Sequence, residues 1–168
     1  MKKNKGFSLV ELIIVIAIMA ILAAAIAPAL IRYIDKSRRA DDVTAAGSIN
    51  SAMSAALANE AAYDEIMSVS DGTILLQAAA GAATWDSPTS GAYPTLIKEM
   101  NSSQQPPKIK YKKAVATTVN DATKLGSGSF DPAGWAVAIS GGKPIVYVTG
   151  STYANGVMLQ PSINDEYK

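Results

Sequence analysis

The chain has 168 residues, enough for one domain with a real core, and a formal charge of +1, so no bulk field draws it to nucleic acid or to acidic partners. It contains neither cysteine nor histidine, which removes disulfides, thiolate nucleophiles, Ser-His and Cys-His catalysis, and any zinc site built on imidazole or sulfur. Hydrophobic residues make up 49% of the sequence, but much of that share falls in the first 31 positions, and the remainder has the Ala, Ser, Thr and Gly texture of a soluble domain.

The chain opens with a short basic flank, Met1-Lys-Lys-Asn-Lys5, and runs from Leu12 to Ile31 without a charged residue. Those 20 positions match the hydrocarbon thickness that a helix must cross. Glu11 stands at the front of this run, although a charge at mid-bilayer depth costs about 2.5–3.5 kcal/mol. Three readings compete. A secretory signal would use Ala23-Ala24-Ala25 or Ala27-Pro28-Ala29 as its small-residue cleavage site, but it gives Glu11 no role. A plain membrane anchor tolerates Glu11 only at the interface. Its orientation is not set by cations, because Lys2, Lys3 and Lys5 precede the span while Arg32, Lys36, Arg38 and Arg39 follow it. In the third reading the chain is cut between Gly6 and Phe7. The new amine at Phe7 then lies one helical turn from Glu11, and the opposite charges cancel, within one chain or between neighbouring copies.

Lys5-Gly6-Phe7-Ser8-Leu9-Val10-Glu11, followed by the apolar run, resembles the class III leader of type IV pilins and pseudopilins. That resemblance implies cleavage between Gly6 and Phe7 by a prepilin peptidase, N-methylation of Phe7, and filament assembly in which Glu11 docks the Phe7 amine of a neighbour. It implies a helix kink at Pro28. The implied partners are further copies of the chain in a helical homopolymer, the peptidase/methyltransferase, a pilus assembly platform with minor pilins, and the cytoplasmic membrane before assembly. DNA or a surface ligand would be a partner of the finished fibre, whose uses in the family are adhesion, motility or DNA uptake. A pseudopilin of a type II secretion or competence system is the alternative. The resemblance implies an inner-membrane precursor with the leader inside, an extracellular pilus afterwards, no enzymatic activity and no cofactor.

Beyond the span the helical pattern continues. Leu30, Ile31 and Ile34 hold the apolar stripe, and Asp35 has Arg32, Arg38 and Arg39 at ion-pairing distances of three or four residues. Ala46, Ile49, Met53, Ala56 and Leu57 recur at three- and four-residue steps. One helix of about 50 residues follows, fraying between Asn59 and Asp64, and globular helices seldom run so long. Asp71–Ala80 and Tyr93–Met100 read as short helices, with turn chemistry in Trp85-Asp-Ser-Pro-Thr-Ser-Gly91 between them. Lys108-Ile-Lys-Tyr-Lys112 alternates strictly and reads as a strand, Ala114–Val119 is β-prone, and Trp135–Ile139 and Ile145–Val148 form a hairpin across Ser140-Gly-Gly-Lys-Pro144. Trp135, Val137 and Ile139 share the face that covers the amphipathic helix, and the tail from Gln160 looks exposed.

The expected fold class is α+β, a long N-terminal helix packed on a small antiparallel sheet. Its parts are a leader at 1–6, a hydrophobic helix at 7–31, an amphipathic continuation at 32–63, a variable connection at 64–107, and the sheet with its tail at 108–168. Lys108, Lys110, Lys112 and Lys113 form a candidate basic patch for DNA, an acidic polysaccharide or a neighbouring subunit, set against the simpler reading of a solvated edge strand. Asp41-Asp42 and Asp165-Glu166 are adjacent pairs that do not converge on one ion, so no metal site is expected.

Overall fold

The computed structural model describes residues 7–117, 124–126 and 128–167. The chain divides into two units, residues 1–37 and 38–168, and the first helix contributes to both. This helix, α1 (Leu9–Ala56), is 48 residues long and unbroken at Pro28. Its first half is mostly Leu, Ile, Ala, Val and Met and contains no glycine, so Pro28 is the one strong helix breaker in it. Proline has no N–H, so one backbone hydrogen bond is missing from that turn.

In the second unit α1 buries Asp42, Ala46, Ile49, Met53 and Ala56, a stripe at alternating four- and three-residue steps. The helix stops at Ala56 rather than reaching 63. Asn59 starts a new helix, α2 (Glu60–Asp64), by accepting the Ala61 N–H on its side chain at 3.0 Å. A third helix, α3 (Pro94–Ser103), follows where it was expected. Its N-cap, Tyr93, is left-handed and offers no side-chain cap. Glu65 does that work from a distance of 30 positions, accepting the Thr95 and Leu96 N–H groups at 2.8 and 3.1 Å.

Five strands form one antiparallel sheet in the order β1 (Ile74–Ala79), β5 (Gly134–Ser140), β6 (Lys143–Thr149), β7 (Gly156–Gln160) and β3 (Lys124–Leu125). A separate pair joins β2 (Val115–Thr117) to β4 (Gly128–Phe130). β5 and β6 are linked by two residues, Gly141 and Gly142, both at positive φ, so the loop is tighter than the five residues expected. Trp135, Val137 and Ile139 of β5 share one core with Ala46, Ile49 and Met53 of α1, as anticipated, while Ala136 and Ala138 face a smaller cluster with Tyr147 and Met158. The architecture is α+β, with a long helix and a small antiparallel sheet.

Three expectations need correction. The stretch read as a helix at 71–80 supplies β1, the sheet edge, so a strand arises inside the region assigned to the connection. A register shift between Ile74 and Leu76 turns both Leu75 and Leu76 inward, which erases the alternation that marks a strand. Lys108–Lys112 alternates in burial, with Ile109 and Tyr111 inside and the lysines outside, but it forms no strand because two of its N–H groups bond to a helix carboxylate instead of a ladder. The tail is exposed only in part: Pro161, Ser162 and Asp165 are open to solvent, whereas Asn164 is buried and Tyr167, in the 3-10 turn Asp165–Tyr167, is 1% accessible. Residues 118–119 of the β-prone segment lie outside the described residues.

Partial burial pushes the Glu65 carboxyl up, but bonds from the Thr95 hydroxyl and from the Leu96 and Thr95 amides outweigh it and hold the group below its usual 4.5. A lowered carboxyl contributes stability above the unfolded-state value and loses it as pH falls through the folded one. Glu65→Ala is therefore expected to destabilise the second unit by about 1 kcal/mol at neutral pH. The difference should shrink towards zero well below pH 4.5, as denaturant unfolding of wild type and variant at both pH values will show.

Candidate functional site

Phe7, the first described residue, is 82% exposed, and Gly6 lies outside the described residues. α1 begins at Leu9, so Ser8 holds the N-cap position and Glu11 the third helical position. The Ser8 N–H donates to Glu11 Oε2 at 2.9 Å. This is one arm of a capping box, in which a glutamate three residues into a helix satisfies an amide that has no partner in the helix. Glu11 therefore serves its own helix start, bonding the amide next to Phe7.

Behind this turn the helix is apolar on every side. Leu9–Ala56 contains an 18-residue window of mean hydropathy 3.0, none of it buried in the protein, and by length and composition it is able to cross a membrane. All the large apolar side chains from Phe7 to Ile34 are exposed, from Ile34 at 41% to Phe7 at 82%. A helix that is hydrophobic all round normally lies in a protein interior or a bilayer.

In the second unit the lysines expected to form a patch do stand exposed, at 108, 110, 112 and 113. Lys110 Nζ, however, is 2.9 Å from Asp41 Oδ2, an ion pair whose side chains are 60% and 47% accessible. Part of the positive field is therefore cancelled on the spot, which favours the solvated-face reading of this segment. Among the described residues no group of three or more metal-ligating side chains converges.

The sequence reading treated Asp42 only as half of an adjacent carboxylate pair and missed its part in the core. Asp42 is fully buried on the core-facing stripe of α1. It accepts the Lys110 and Tyr111 amides at 2.8 and 3.0 Å and the Tyr167 hydroxyl at 2.6 Å. Arg39, one turn earlier, lies 4.2 Å from the Tyr111 ring centroid and donates to its hydroxyl, and the two tyrosine rings meet edge-on at 5.6 Å. A buried carboxylate is tolerable when several donors and a nearby cation stabilise it. Asp42 thus ties together α1, the 108–112 segment and the C-terminal turn. Position 42 falls four residues before Ala46 on the apolar stripe, and a charge in that register is the clue the sequence offered.

The pattern described as the prokaryotic N-terminal methylation motif matches residues 1–27. No solved structure gives a significant match. The motif match, ahead of an apolar helix that runs on into an α+β unit, supports a likeness to type IV pilins and pseudopilins over the N-terminal segment. The same two features fit a membrane-anchored precursor.

Burial first, then the hydrogen bond to Asp42 and its negative charge, raise the Tyr167 phenol far above its usual 10.0, with Arg39 opposing only in part. The unfolded chain releases this proton near the usual value and the folded chain does not, so stability present below pH 10 is lost as pH rises beyond it. Tyr167→Phe should flatten the alkaline slope in pH-resolved unfolding. Asp42→Ala strands two amides and a phenol, at about 1–3 kcal/mol for each group left buried without an acceptor. A drop of several kcal/mol in denaturant unfolding is expected at neutral pH.

Proposed function

We propose that the chain is the structural subunit of a type IV pilus. The carrying observation is a methylation motif that leads directly into an exposed, charge-free helix. Water hydrolyses the Gly6–Phe7 peptide bond on the cytoplasmic side, leaving a Gly6 carboxylate, and the liberated Phe7 amine takes a methyl group from a sulfonium donor, which departs as the thioether while the amine gives up one proton. A methylated amine remains basic, so it keeps a positive charge for Glu11 of a neighbouring copy. The apolar helices then leave the lipid and pack against each other in the fibre core, with the head units outside. Adhesion, motility and DNA uptake are roles such a fibre fills.

Two observations are compatible with assembly. Glu11 lies in the first turn of a helix that is then apolar around its whole circumference, as multiple helical neighbours or a bilayer require. The carboxylate also has a local partner, the Ser8 amide at 2.9 Å, so the uncut chain does not leave it unsatisfied before assembly. A pseudopilin of a secretion or competence machine shares these features and differs in building no long surface fibre.

The mature chain should have an intact mass corresponding to a start at Phe7 plus one methyl group, and should be the subunit of sheared surface fibres seen by electron microscopy. Gly6→Val should leave an unprocessed membrane precursor. Glu11→Ala should still be processed but lose or cripple fibre formation, because breaking a buried charge pair costs about 3–5 kcal/mol. Full fibre yield from Glu11→Ala, measured by quantifying sheared subunits, would remove the docking role.

A further inference from the structure

The residues just past the apolar span form a second cluster, separate from the leader. The 20 charge-free residues from Leu12 to Ile31 rise about 30 Å as a helix, the thickness of the hydrocarbon layer. Arg32 and Tyr33 then stand about 1.5–3 Å beyond the edge of that layer and Lys36 about 7.5 Å beyond it. The headgroup region on each side is roughly 5–7 Å deep, so all three side chains reach headgroup phosphates.

Ala29, Arg32, Tyr33 and Lys36 line one open groove of about 300 Å³. At 100° per residue their positions fall within an arc of about 100° on a single face, with the carboxylate of Asp35 outside it. Tyr33 is 73% exposed, an aromatic ring with a polar tip of the kind enriched at membrane interfaces. Between 32 and 37 two cations, Arg32 and Lys36, stand against the single carboxylate of Asp35, so the groove face itself complements an anion.

We propose that this groove holds the phosphate of a phospholipid headgroup, gripped by the Arg32 guanidinium and the Lys36 ammonium, with the Tyr33 ring seated at the boundary of the acyl chains. The guanidinium fork matches two phosphate oxygens at once, while the ammonium supplies a movable point charge. The site rests on the reading of the preceding helix as inserted in the bilayer. It would fix the depth of the stored subunit from the leaflet opposite the leader, and its lipid must be released before the helix enters a fibre.

Arginine occurs only at 32, 38 and 39, so side-chain ¹⁵N-arginine labels just three positions. The full chain, labelled in this way, is placed in vesicles of phosphatidylglycerol and phosphatidylcholine, and solid-state NMR records dephasing of guanidinium ¹⁵N by lipid ³¹P. Spin diffusion from acyl-chain protons to the Ile and Leu methyls is read on the same sample. The expected result is acyl contact together with a dephased guanidinium component that Arg32→Gln abolishes, Lys36→Gln reduces and Arg38→Gln leaves in place. Acyl contact without dephasing, or dephasing that survives Arg32→Gln, overturns the headgroup site alone. Absence of acyl contact overturns the inserted span and the site with it.

Discussion

An apolar helix surface that the folded chain does not cover is the constraint on which everything else rests. Full burial of one large aliphatic side chain is worth about 1.5–3 kcal/mol, and the stretch from Phe7 to Ile34 leaves many of them open. Their sum is tens of kcal/mol, well above the 5–15 kcal/mol that typically separates a folded domain from its unfolded chain. Such a surface has two stable fates, hydrocarbon or a bundle of like helices. The proposed life of the subunit is an exchange of one for the other.

The position of Glu11 makes that exchange intelligible. If the hydrocarbon layer is filled by the charge-free residues from Leu12 to Ile31, Glu11 falls at the edge of the layer, where a carboxylate meets water and its penalty is small. The penalty grows only when other helices close around that end. The bond to the Ser8 amide is local and of the ordinary kind at a helix start. A charged amine offers more to a carboxylate in a dry environment. On the proposed assembly the same side chain would be quiet in the membrane and demanding in a bundle.

Much of the fold was legible because its strongest determinants are local. The charge-free run, the three- and four-residue steps from Ala46 to Ala56, and the Trp135–Val148 hairpin each carry a period that only one element satisfies. β1 was misread because its bulge places Leu75 and Leu76 on the inside together, leaving an Ile-Leu-Leu-Gln-Ala-Ala run that locally favours a helix, and sheet pairing overrides that preference. Lys108–Lys112 shows the reverse case. Its alternation was real, but periodicity cannot say whether backbone donors will meet a strand or a carboxylate. The leader and Glu11 were plain as a motif, whereas Asp42 needed knowledge of three segments far apart in sequence. Its position on the apolar stripe was visible, but its partners were not.

The Asp42–Tyr167 bond joins residues 125 positions apart, and this separation sets an order of events during synthesis. Ribosomes add about 5–20 residues per second, so roughly 6–25 s pass between the making of the carboxylate and the making of its phenol partner. The apolar helix is complete and ready to partition well before that interval ends. The Lys110 and Tyr111 amides reach the growing chain well before Tyr167 does, so the last of the three donors to Asp42 arrives only when the chain is nearly finished.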